Sequence, residues 1–174
     1  MKPELHLISN AHIDPYWQWE WEEGAAATVS TFRAAADCCD ASDDFIFCHN
    51  EALLYQWIES FEPELFQRIQ RLVKAKRWHI MGGWHLQPDC NMPCGESFIR
   101  HMLLGRSWFY EKFGVVPHTA INFDSFGHTR GLVQLLKKSG FDSYIVTRPN
   151  NIDCPLPSSE LDRKSTRLNS SHLV

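Results

Sequence analysis

The chain has 174 residues, 44% of them hydrophobic and 22% charged, with a formal net charge of −4. That length suits one domain, or part of a larger one, with a sizeable core; the acidic balance argues against a general nucleic-acid or polyanion binder. No apolar run reaches the roughly 18 residues a membrane helix needs, and Met1-Lys2-Pro3-Glu4 opens no charged-then-apolar secretory leader, so a cytoplasmic protein without a membrane partner is expected.

Residues 5–9 (LHLIS) read as a short buried strand, and Pro15 ends its pairing. The acidic run Glu20-Trp21-Glu22-Glu23 suits a solvated helix start, and residues 28–39 carry helical spacing at Val29, Phe32 and Ala36. Residues 45–48 form the second predicted strand. Helices come next over 52–58 and 63–76, the latter with Leu65, Ile69, Leu72 and Val73 on one face. The third strand, 78–81, is expected to stop at Gly82-Gly83. Residues 96–113 form a long amphipathic helix with a C-terminal glycine at 114. A strand over 119–123, a helix over 132–139 and a strand over 144–147 complete the pattern. Strand–helix alternation with short connections predicts a parallel α/β architecture.

Residues 162–172 read DRKSTRLNSSH, with no apolar periodicity. They resemble the translation of a sequencing-library adapter, the alternative being an ordinary polar tail. The expected organisation is therefore residues 1–161 as a partial domain and 162–174 as a non-native tail.

Six cysteines, at positions 38, 39, 48, 90, 94 and 154, are expected as reduced core thiols in a chain of this kind. Cys90-x-x-x-Cys94 lacks a second Cys/His pair at zinc-knuckle spacing. His49, His79, His85 and His101 read as structural histidines. Seven tryptophans and eleven phenylalanines suit a core or a sugar-stacking surface, and composition does not separate the two.

Polar residues gather just after three predicted strands: His12 and Asp14, Trp84 and Asp89, Asp124 and His128. In parallel α/β sheets and barrels, the C-terminal strand ends make one rim where sites are built. His12 and Asp14 are two apart, so an extended segment projects both to one side; they are either metal ligands or partners in a turn before Pro15. Asp124 could complete a metal site, act as a nucleophile or cap the adjoining turn. His128 closes that block and could orient its loop.

His12-Ile13-Asp14-Pro15-Tyr16-Trp17 resembles the opening motif of glycoside hydrolase family 38, the zinc-dependent retaining α-mannosidases. Gly82-Gly83-Trp84 with Asp89, Glu96-Ser97 and Arg100 is similar to the family's second block. Phe123-Asp124-Ser125-Phe126-Gly127-His128 is similar to its nucleophile block. Ser139-Gly140-Phe141-Asp142 through Arg148-Pro149 resembles the family's next segment. The resemblance implies a fragment of a parallel (β/α) barrel of the glycoside hydrolase/deacetylase type, with residues 1–161 as the N-terminal part of a catalytic domain. It implies His12, Asp14 and Asp124 as ligands of Zn²⁺ or a neighbouring ion such as Co²⁺, and Asp124 also as the catalytic nucleophile. It places Trp17, Trp84, Asp89 and Arg148 at the α-mannoside substrate, although core packing for the two tryptophans and a surface charge for Arg148 are open alternatives. The family's general acid and a further histidine ligand lie downstream of Pro149, so residues 1–161 alone are expected to be inactive. The resemblance leaves room for an oligomer of the full-length protein. A metal-dependent polysaccharide deacetylase and a non-catalytic carbohydrate-binding module are the competing readings.

Overall fold

The computed structural model describes residues 8–147. The first residues of the first predicted strand, Arg148 and the tail at 162–174 lie outside them. In chain order the elements are β1 (Ser9–Asn10), α1 (Trp21–Ala41), β2 (Phe47–Glu51), α2 (Ala52–Phe61), α3 (Pro63–Lys74), β3 (Trp78–Trp84), α4 (Gly95–Phe113), β4 (Thr119–Asn122), α5 (Arg130–Lys138) and β5 (Ser143–Val146). The strands β1, β2 and β3 pair in parallel in that order, and β4 pairs in parallel with β5. The predicted parallel α/β class is what the chain adopts. The described strands form two sheets and not a continuous barrel wall: β4 runs beside β3 without a backbone ladder.

Two cores hold these layers. Helices α1 to α4 close over one side of the first sheet, where Phe32, Tyr55, Ile58, Ile69 and Phe109 are fully buried. The stripe expected on α3 is there: Leu65, Ile69 and Leu72 are buried, with Val73 at its edge. The second core joins Trp84 of β3, Phe98 and Met102 of α4, and Leu132 and Leu136 of α5 to Phe141 and Tyr144. No helix among the described residues is long and apolar enough to cross a membrane.

Helix α1 begins at Trp21, where the acidic run at 20–23 reads as a helix start, with Glu22 and Glu23 in its first turn where negative charge suits the helix N-terminus. Gly24 lies inside it because a Cβ there would stand 2.1 Å from the Pro15 carbonyl oxygen. This contact seats the 12–15 loop against the helix. Strand β3 does not stop at Gly82-Gly83 but runs through to Trp84. Both glycines have positive φ, 74° and 73°, and the pairing with β2 shifts register between His49 and Glu51. The pair acts as a bulge, bending the strand while its end still pairs, Glu51 against Trp84.

Candidate active site

The site forms where β1 and β4 end. Past Asn10 the backbone stays extended enough to alternate: Ile13 is buried in the first core, while His12 and Asp14 on either side of it face out. The indole Nε1 of Trp19 donates to the Asp14 carbonyl at 3.2 Å and braces the loop. From the other sheet, Asp124 follows β4 by one residue beyond Phe123. His12 Nε2 lies 3.2 Å from Asp14 Oδ1 and 3.8 Å from Asp124 Oδ2. One ligand atom from each of the three residues lies within 4.8 Å of the others. An imidazole nitrogen and two carboxylate oxygens at these separations are a donor set suited to one divalent ion, whose bonds of roughly 2.0–2.2 Å put neighbouring ligand atoms about 3–4 Å apart.

These residues line a cavity of about 640 Å³, within the usual range for small-molecule sites. Its rim is aromatic: Trp17 is 58% exposed, and Tyr16 and Phe126 stand still further out. Asp89 is on the same wall, its Oδ1 accepting the backbone N–H groups of Asn91 (2.8 Å) and Met92 (3.1 Å), which fixes the turn after β3. Trp84 is elsewhere. Its side chain is fully buried in the second core, and its Nε1 donates to the Ile121 carbonyl at 2.9 Å. It therefore cannot stack on a bound sugar, and it serves to hold β3 to β4. Arg148 lies outside the described residues.

The family model described as the glycosyl hydrolases family 38 N-terminal domain matches residues 2–153. The chain belongs to glycoside hydrolase family 38. Alpha-mannosidase G of Dictyostelium discoideum is 30% identical over 141 residues, covering 81% of this chain and 13% of that protein. Alpha-mannosidase 2C1 of Mus musculus is 26% identical over 144 residues, 83% of this chain and 14% of that one. The chain thus spans about one seventh of these relatives' length. Among solved structures, an alpha-mannosidase from Enterococcus faecalis superposes with a TM-score of 0.73 at 20% identity, over 80% of this chain and 16% of that one, which shows a shared fold.

Around the candidate site the structure adds contacts that sequence reasoning did not read, beside Ser125 and His128, which belong to the block around Asp124. Ser125, next to Asp124, is buried and receives a hydrogen bond from the Cys90 thiol at 3.5 Å. Cys90 Sγ also lies 3.5 Å from the Tyr144 hydroxyl, itself 2.9 Å from His128 Nδ1. Burial pushes the Cys90 thiol up, but hydrogen bonds with His128, Tyr144 and Ser125 outweigh it and bring the thiol below its ordinary value. The Thr147 hydroxyl donates to the Phe123 carbonyl. Beneath Asp14, Glu51 is buried and its carboxyl accepts the Gln87 backbone N–H at 3.0 Å. Burial pushes Glu51 up to about 7, the Gln87 hydrogen bond opposing and the nearby Asp14 charge adding to the rise.

Proposed function

We propose that this chain is part of a retaining α-mannosidase, in which Asp124 attacks the anomeric carbon and forms the covalent glycosyl-enzyme. The observation that carries the reading is the meeting of His12, Asp14 and Asp124 in one cavity rimmed by the exposed Trp17. Both curated relatives described above are named as alpha-mannosidases, and hydrolysis is assigned to the full-length protein. His12, Asp14 and Asp124 would hold a zinc or cobalt ion, whose chemistry when bound is to grip sugar hydroxyls and favour a distorted ring. Trp17 would cover the apolar face of the sugar, and Asp89 would accept from a sugar hydroxyl. Asp124 must be ionised to attack, and it would bind the ion in that same state. Retention also requires an acid carboxyl about 5–5.5 Å from the nucleophile, a role given to no residue of this chain. The parallel strand order, with site residues after β1 and β4, supports reading the two sheets as consecutive parts of a (β/α) barrel wall.

The test uses the full-length enzyme and an aryl α-mannoside. Hydrolysis with retained configuration is expected, with loss of activity on chelation and recovery with Zn²⁺ or Co²⁺. A protein that hydrolyses acetyl esters or amides of sugars but not the mannoside would overturn the reading in favour of a deacetylase.

A further inference from the structure

We infer that Gln87 is a positioning residue, whose side-chain carbonyl sets where Asp124 stands relative to His12 and Asp14. The inference rests on the metal-site reading proposed above. It starts from the seam between the two sheets, where β3 and β4 lie side by side but share no ladder. In a continuous sheet the ladder would fix the level of one strand end against the next. Here side chains do it instead. Gln87 Oε1 accepts the backbone N–H of Phe123 at 2.8 Å, and Asn122 Nδ2 donates to the Pro88 carbonyl at 3.0 Å. The chemistry makes both assignments unambiguous, since a backbone N–H can only donate and a carbonyl oxygen can only accept.

These two bonds form a reciprocal bridge between residues 87–88 and 122–123. Asp124 is the next residue in the chain. The bridge is anchored from below, because the Gln87 backbone N–H is held by the carboxyl of Glu51, which is only 2% exposed. Glu51 ends β2, the strand paired with β1, from which His12 and Asp14 emerge. A single relay, Glu51 to Gln87 to Phe123, therefore references the β4 end of the site to the β1 end. A shift of about 1 Å at Phe123 would move the Asp124 carboxylate by a similar amount, enough to spoil a shared coordination sphere whose bonds are roughly 2.0–2.2 Å long.

The only part this relay needs from the Gln87 side chain is an acceptor at the right reach, which separates positioning from mere space-filling. Gln87→Met keeps the length and removes the acceptor; Gln87→Glu keeps the acceptor; Gln87→Asn keeps the amide but withdraws it by a methylene. Co²⁺ binding to the full-length protein, followed by its visible absorption with Zn²⁺ competition, and hydrogen exchange at the Phe123 amide are the readouts. Gln87→Met and the gentler Gln87→Asn are expected to bind Co²⁺ about 10–100-fold more weakly, as for lost supports around metal ligands, and to expose the Phe123 amide to exchange. Gln87→Glu is expected to restore both to within about threefold of the parent protein, since Oε1 still accepts. Parent-like affinity in Gln87→Asn, or a Gln87→Glu variant as weak as Gln87→Met, overturns the inference. Failure of the unaltered full-length protein to bind Co²⁺ in a way that Asp14→Ala abolishes overturns instead the metal-site reading beneath it, so the two failures are distinct.

Discussion

His12 Nε2 stands 3.8 Å from Asp124 Oδ2, although the two residues leave different sheets. Neighbouring strands lie about 4.8 Å apart, so β1 and β4, with β2 and β3 between them, would be about 14 Å apart in a flat sheet by that spacing. The strand ends must curl towards one another for these side chains to meet. Curvature from the Gly82-Gly83 bulge and the bridge at Gln87 makes the site a product of the bend.

Asp124→Asn is the most direct test of the chemistry, because it removes the charge while keeping the shape. Turnover of an aryl α-mannoside by the full-length enzyme should fall by at least about 10³-fold, as for loss of other catalytic nucleophiles. Co²⁺ or Zn²⁺ affinity, measured by titration, should fall with it, since the same carboxylate is placed to do both jobs. Near-normal turnover would reduce Asp124 to a structural residue.

The two tryptophans singled out for the substrate should separate cleanly. Trp84→Phe leaves the buried Ile121 carbonyl without its donor and should destabilise the chain by about 1–3 kcal/mol in urea denaturation, at little change in metal affinity. Trp17→Ala removes an exposed ring, so stability should stay within about 0.5 kcal/mol, while KM for the mannoside rises in the full-length enzyme. The reverse pattern would exchange their roles.

Glu51 should impose a pH dependence of stability. Burial raises it to about 7, so the folded chain holds its proton where the unfolded chain has released it. Stability from the neutral carboxyl is therefore fully present below the unfolded value near 4.5 and is lost as pH rises through about 7. Relative to Glu51→Gln, whose amide oxygen can still accept from Gln87, the parent should lose up to about 3 kcal/mol between pH 4.5 and 8. Urea denaturation of both proteins at pH 5 and pH 8 measures it, and parallel profiles would show that Glu51 does not carry the shift.

His49 should give the opposite limb. It is fully buried, and burial pushes it down to about 3, with the backbone hydrogen bond at Ala11 opposing and the His12 charge adding. Its contribution is present above the unfolded value of 6.5 and is lost as pH falls towards about 3. Replacing it with Gln should flatten the acid side of the profile, so that the parent gains stability relative to the variant as pH rises from about 3 to 6.5; urea denaturation of both proteins at pH 4 and pH 8 measures it.

Much of this protein is legible in its residues taken in order. The spacing of Leu65, Ile69 and Leu72 announces α3 because a helix repeats its buried face every three to four residues. His12 and Asp14 flank an apolar Ile13, and alternation along an extended chain is a local rule that needs no knowledge of the fold. Asp124 just past an apolar run marks a strand end for the same reason. Local rules cannot supply any relation whose partners are distant in sequence. Trp17 and Trp84 are chemically the same, and only packing makes one a rim and the other a core residue, because burial is decided by what arrives from α4, β4 and α5. Gly82-Gly83 reads as a stop by propensity, yet pairing with β2 carries the strand through it. Gln87 and Glu51 belong to no pattern at all: their roles exist only once β2, β3 and β4 lie side by side, where an acceptor meets an amide proton that has no ladder partner. The residue types at the site were set by the sequence, and their convergence by the bend of the assembled sheets.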